Sequence, residues 1–257
     1  MSTYLLLHGA WHGAWCWQKV TPLLELAGHT VIAPDLPGSG SDLTPLAAVT
    51  FASYVQCITD ALDALPPDET IILLGHGTSG MVISQVAEER AERLSLLVYL
   101  SALLPKDGET ALQITAREPN PRLEACLKID DLSVRLLPDK AGDVLYQDCE
   151  WTDRHHALRY LTPQPLLPLT TPVTLTERFW RVPRVYLTCR YDLVASASLQ
   201  SQMYGEIPCE RVIWLMTGHA PFLSAPDRLA ARLIGIARLQ QEQERRRCVP
   251  IADQHPK

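Results

Sequence analysis

At 257 residues the chain has room for one large domain, or for a domain with an inserted cap, and a hydrophobic fraction of 47% against 20% charged residues is that of a globule with a sizeable core. A net charge of −6 without a basic, aromatic-interleaved stripe excludes a nucleic-acid surface, and no apolar run approaches the roughly 20 residues that span a membrane. The amino terminus lacks the charged region and long apolar core of a signal peptide, and seven scattered cysteines form neither CxxC nor metal spacing, so the expectation is a cytoplasmic protein with reduced thiols and neither metal nor cofactor.

In chain order, Tyr4 to Leu7 reads as a short buried strand that ends in the turn-forming His8-Gly9-Ala10-Trp11-His12-Gly13. Apolar spacing from Trp17 to Ala27 predicts an amphipathic helix closed by Gly28. A strand over Thr30 to Ala33 leads into the loop Pro34 to Ser41, and Thr50 N-caps a helix that Pro66-Pro67 stops. The continuous apolar run Ile71 to Leu74 predicts a strand buried on both faces. It runs through Gly75-His76-Gly77-Thr78-Ser79-Gly80 directly into a helical pattern ending near Arg93, and Leu94 to Leu100 is another strand.

From Pro105 to about Pro183 prolines are dense, helices look short and no buried strand is evident. This segment, 105–183, reads as a helical lid inserted after a central strand and lying over one sheet edge. Alternation resumes with strands over Arg184 to Thr188 and Arg211 to Leu215 and helices over Ser196 to Tyr204 and Asp227 to about Gln243. The core therefore comprises 1–104 and 184–244, with 245–257 a polar, frayed tail. Strand–helix alternation of this kind predicts an α/β fold with a doubly wound, mostly parallel sheet.

Ligands of open parallel sheets bind at the carboxyl ends of the strands. Four loops fall there: His8-Gly9-Ala10, the turn at Gly77, Arg190-Tyr191-Asp192 and Thr217-Gly218-His219. Strand, glycine-rich turn and helix around Gly77 make the context of a nucleophile elbow, G-x-S-x-G, and the order of apex, Asp and His is that of the α/β-hydrolase triad. His219 is the candidate base, Asp192 its orienting carboxylate, and the amides of Ala10 and Thr78 the candidate oxyanion hole. The apex between His76 and Thr78 is glycine, so the nucleophile position is vacant. Ser79, at the motif's second glycine position, is expected to face the strand–helix contact. His8 and His76 read as loop-shaping and structural. Trp11, His12, Trp151 and Trp180 are candidates for lining a substrate pocket, and His155-His156 lacks a third metal ligand in register.

The chain resembles the branch of the α/β-hydrolase superfamily that contains plant methylesterases, plant hydroxynitrile lyases and their bacterial relatives. The residues are His8-Gly-Ala-Trp-His-Gly-Ala-Trp-Cys-Trp17, the stretch Leu23 to Leu36, Gly75-His76, Met81-Val-Ile83, Thr217-Gly-His-Ala-Pro-Phe222 and, in the lid, Gln164 to Pro172. The resemblance extends to about Arg238. It implies the α/β-hydrolase fold, a small cap, a buried apolar pocket for a small hydrophobic substrate, and a homodimer. Family roles carry to Asp192, His219 and the Ala10 and Thr78 amides. At Gly77 the family expects serine, and at Ser79 it expects glycine.

Removing the serine of a serine protease triad costs about 10⁶ in kcat, so a covalent esterase mechanism is excluded for this sequence. Three readings stay open. In the first, His219 acts directly as general acid and base in a lyase, elimination, cyclisation, decarboxylation, cofactor-free oxygenation or water-mediated hydrolysis, in the setting of bacterial natural-product biosynthesis. The second is a carboxylesterase carrying a designed Ser-to-Gly change. The third is a non-catalytic protein that binds a small ligand.

Overall fold

The computed structural model of the chain describes residues 1–69 and 71–248. Six strands form one sheet in the order β2-β1-β3-β4-β8-β9. These are β1 (Thr3–Leu7), β2 (Thr30–Ile32), β3 (Ile71–His76), β4 (Leu94–Leu100), β8 (Arg184–Cys189) and β9 (Arg211–Leu215). Every pairing is parallel, with Leu5 beside Leu73, Leu73 beside Leu97 and Val98 beside Val185. The central strands are apolar at successive positions because helices cover both sheet faces, and all six residues of β3 are buried.

Helix α1 (Thr21–Leu26) packs with the last helix, α12 (Pro226–Cys248). The second layer contains α2 (Phe51–Asp63) and α3 (Ser79–Arg90). Tyr4 of β1 reaches α12 with its hydroxyl, donating to the Leu233 carbonyl at 2.7 Å. Thr50 and Ser53 cap the amino end of α2 reciprocally, which satisfies two amides that the helix itself leaves open. The predicted helix from Trp17 to Ala27 is shorter than expected. Ala14–Trp17 is a 3-10 turn, and α1 starts only at Thr21, where Pro22 occupies the first turn and needs no amide partner. At the other end, α12 runs through the first residues of the expected tail; 249–257 lie outside the described residues.

Between β4 and β8 come α4 (Ala111–Thr115), α5 (Pro121–Glu124), β5 (Leu127–Ile129), β6 (Ser133–Leu136), α6 (Pro138–Leu145), α7 (Trp151–Tyr160), β7 (Gln164–Pro165), α8 (Leu167–Thr170) and α9 (Glu177–Arg181). The expectation of no buried strand here is corrected: β5, β6 and β7 form a small antiparallel sheet, and both residues of β7 are buried. Its strands are too short and too charged to show a periodic signal. Asp130 builds the β5–β6 turn by accepting from the amides of Leu132 at 3.0 Å and Ser133 at 2.8 Å.

The end of this segment also departs from the lid expectation. Thr174 and Thr176 donate their amides to Gln85 and Glu88 of α3, at 2.9 and 2.7 Å, and α9 packs on that helix. The stretch before β8 has thus rejoined the sheet's helical layer. After β8, α10 (Ala197–Glu206) is N-capped by Ser196, and α11 (Pro221–Ser224) follows β9.

Candidate active site

β3 delivers the chain to Gly77, which turns it sharply into α3 with φ at +54°, a left-handed conformation in which a side chain is strained. β8 and β9 deliver Asp192 and His219 to the same edge. His219 Nδ1 lies 2.7 Å from Asp192 Oδ2. A carboxylate can only accept, so Nδ1 carries the proton, and in the neutral ring Nε2 is the nitrogen left with a lone pair. That nitrogen faces the turn: a Cβ built on Gly77 would lie 3.7 Å from it and 3.6 Å from the Gly9 Cα, both ordinary contacts. Gly77, Asp192 and His219 are therefore brought together.

Asp192 is held as a full acceptor. Oδ1 takes the amides of Val194 at 2.6 Å and Ala195 at 3.0 Å, and Oδ2 takes the Ser101 hydroxyl as well as His219. Ser101 is not among the residues that the sequence motifs single out. It follows β4 at its carboxyl end, a position that could have marked it, and it sits at φ +42°, which for serine is strained. The amides of Ala10 and Thr78 both border the space in front of His219, and neither donates to an acceptor among the described residues. Ser79 Oγ is engaged elsewhere, donating to the His8 carbonyl.

A cavity of about 430 Å³ opens from this edge. Ala10, Trp11, Gly77, Thr78, Ser101 and His219 line its chemical end; Leu127, Ile129, Val134 and Leu166 continue it beneath the inserted segment. Trp11 is the one pocket candidate of four that lines it, and its indole N–H donates to the Val134 carbonyl at 2.8 Å. Trp151 is 72% exposed and stacks on His155. Trp180 lies on α9, half exposed over the Arg184 guanidinium, because that stretch has returned to the α3 side. His12 is buried behind the first loop, with Nδ1–H donating to the Ala10 carbonyl at 2.8 Å and Nε2 accepting from the Tyr146 hydroxyl at 2.8 Å.

Three further histidines therefore support the site without lining its working end. His76 Nε2–H donates to the His219 carbonyl at 2.9 Å, and His8 Nε2 accepts the Leu36 amide at 3.1 Å. Burial lowers the pKa of all three, that of His12 to about 3. The unfolded chain thus binds more protons than the folded one between the ordinary histidine value, about 6.5, and the depressed folded values. Stability is expected to be fully present above that value and to fall with acid below it. His12 alone contributes a slope of about 1.4 kcal/mol per pH unit. Chemical denaturation at pH 7, 6 and 5 measures this, and a pH-independent midpoint across that range contradicts it.

Comparison with known proteins extends these observations. A family model described as the alpha/beta hydrolase family matches residues 4–232. Methylesterase 1 of Arabidopsis thaliana is 31% identical, over 91% of this chain and 95% of its own. Among solved structures, a pyrethroid hydrolase from Sphingobium faniae superposes with a TM-score of 0.83 at 29% identity, covering 93% of this chain and 97% of that one. Tomato methylketone synthase I, crystallised with 2-tridecanone, gives a TM-score of 0.84 at 25% identity, with 93% and 98% covered. With a parallel sheet, an elbow turn at the end of β3 and near full-length similarity to methylesterases and hydrolases, the chain belongs to the alpha/beta hydrolase family.

Proposed function

We propose that the protein is an enzyme that uses His219 as a general base and acid, without a covalent nucleophile, on a small carbonyl compound with an apolar chain or ring. The observation that carries this reading is the lone pair of His219 Nε2 facing Gly77, where no hydroxyl intervenes between base and cavity. The reacting carbonyl would lie against the Ala10 and Thr78 amides. In a 3-oxo acid His219 takes the carboxyl proton, the bond from the α-carbon to the carboxylate breaks and carbon dioxide leaves, negative charge collects on the 3-oxo oxygen, and the two N–H groups stabilise that charge until the α-carbon is protonated. Asp192 stabilises the imidazolium, which then returns the proton to the product. The apolar wall from Leu127 to Leu166 suits the tail, and the 2-tridecanone bound to the tomato structure is a carbonyl compound of that shape.

Ester hydrolysis is the second reading, favoured by the methylesterase and pyrethroid hydrolase relatives. Here His219 takes a proton from a water held in the space beside Gly77, hydroxide attacks the ester carbonyl, and the imidazolium protonates the departing alcohol. In both readings the described part of the inserted segment caps the pocket and excludes bulk water, and the protein works without a cofactor. A dimer, implied by the resemblance, is part of the proposal and is tested by its mass in solution.

A panel of long-chain 3-oxo acids and aryl or alkyl esters separates the readings. Turnover with no acyl adduct in the intact-protein mass is expected, confined to acids for the first reading and to esters for the second. A stable adduct during turnover would overturn both. Saturable binding without any consumption would make the protein a ligand-binding member of the family.

A further inference from the structure

The turn between α6 and α7 spans residues 146–150, and three of them touch three different loops. Tyr146, fully buried, donates its hydroxyl to His12 Nε2 at 2.8 Å, and the opposite nitrogen of that ring donates to the Ala10 carbonyl. Gln147 donates from Nε2 to the Tyr191 carbonyl at 2.7 Å, one residue before Asp192. Asp148 accepts the Gly218 amide on Oδ2 at 2.6 Å, one residue before His219. The last two loops are also joined directly, Tyr191 N to Thr217 O at 2.9 Å. The turn itself is braced by Tyr146 N to Gly142 O and Cys149 N to Tyr146 O, both at 3.1 Å.

We propose that Tyr146, Gln147 and Asp148 form a positioning strap that sets the oxyanion loop, the Asp192 loop and the His219 loop in one register. The inference rests on His219 being the working base. None of the three strap residues lines the cavity, so the strap acts through the loops it holds. Its three bonds tie the three loops to one turn, where the other anchors outside the sheet serve single loops: Trp11 to the Val134 carbonyl, and Asn120 to the Leu193 and Val194 carbonyls. Two of them end on the residues directly preceding the dyad residues, where a small rotation carries over to the side chain. Gly218 is shaped by the same contact: a Cβ there would lie 2.4 Å from Gln147 Nε2 and 2.6 Å from Asp148 Oδ1, so a side chain at this position would expel the strap. His12 accepts from Tyr146 only while it is neutral at Nε2, and its burial lowers its pKa to about 3, which keeps that acceptor available across the physiological range.

The test separates positioning from ordinary packing. In the natural chain labelled with ¹⁵N-histidine, the His219 Nδ1–H proton, bonded to Asp192, gives a low-field resonance. Asp148→Ala and Tyr146→Phe are expected to shift or broaden it, while Asp148→Asn, which keeps an acceptor oxygen for Gly218, leaves it in place. The same substitutions are then combined with Gly77→Ser and the rate of phosphonylation by a fluorophosphonate is read. Misplacement by about 1 Å costs on the order of 100-fold, so a loss of about 10- to 100-fold is expected for Asp148→Ala, with most of it restored by Asn. Asp148 is exposed, so its variants keep the fold even where Tyr146→Phe does not. An unchanged resonance and an unchanged labelling rate in folded Asp148→Ala overturn the strap. A Gly77→Ser parent that never labels counts against the base assignment instead, and the resonance in the natural chain still decides the strap.

Discussion

Replacing Gly77 with serine is expected to create a covalently reactive residue at the turn after β3. The side chain fits: its Cβ would meet the Gly9 Cα at 3.6 Å and His219 Nε2 at 3.7 Å, both ordinary contacts. It also costs something, because φ is +54° and a left-handed residue with a Cβ loses about 1–2 kcal/mol. The rest of the machinery is in place, with Nε2 towards the turn, Asp192 on Nδ1 and amides at Ala10 and Thr78 that donate to no acceptor among the described residues. The new hydroxyl would give its proton to His219 while its oxygen attacks phosphorus and displaces fluoride from a fluorophosphonate. Loss of such a serine costs about 10⁶ in a serine protease, so even partial restoration is a gain of several powers of ten. Intact mass and peptide mapping read the result. Labelling at position 77 in the variant and none in the natural chain is expected; labelling of Ser79 in the natural chain would restore a displaced-serine hydrolase and sink the non-covalent mechanism. Ser79 is an unfavourable nucleophile because its hydroxyl already donates to the His8 carbonyl.

The second large effect is at the base. His219→Ala should lower turnover of any substrate found in the panel by about 10²–10⁴-fold, the usual contribution of a general base. The fold should survive, because what His219 gives the scaffold is its carbonyl, accepting from His76, and that is backbone. Asp192→Asn should also slow the reaction, since an amide in place of the carboxylate lets the imidazole take the wrong tautomer. This variant is the less clean of the two: Asp192 also orders the amides of Val194 and Ala195. Steady-state rates beside a thermal melt distinguish loss of chemistry from loss of structure. Full turnover in folded His219→Ala would move the protein to a role in which the pocket only shapes its ligand.

Legibility in the sequence followed the range of the interactions involved. β3, β4 and β9 were readable as continuous apolar runs ended by turn residues, and their observed bounds lie within a few residues of the expected ones. The cap of α2 was readable because Thr50 and Ser53 act within one turn. By contrast, β7 depends on pairing between Val134 and Gln164, thirty residues apart, and neither stretch has a period of its own. Trp151 and Trp180 are pocket candidates by residue type and by falling inside the expected lid. One faces solvent on α7 and the other lies on α9 beside Arg184.

What the amino-acid sequence determines by itself is local and covalent. It sets the alternation that makes a parallel sheet, the turn residues at four strand ends, and the absence of any nucleophilic atom at Gly77. Which of those strand-end residues meet is a property of the tertiary structure alone, since β3 is separated from β8 and β9 by more than a hundred residues of chain and is aligned with them only by sheet register. Ser101 shows the same limit: its hydroxyl reaches Asp192 only because β4 lies beside β8. So does the Tyr146–Asp148 turn, whose three short contacts to loops far away in sequence leave no pattern in the residues themselves. The fold makes them neighbours because burying the apolar strands forces their carboxyl ends to one edge, and the inserted segment closes over that edge.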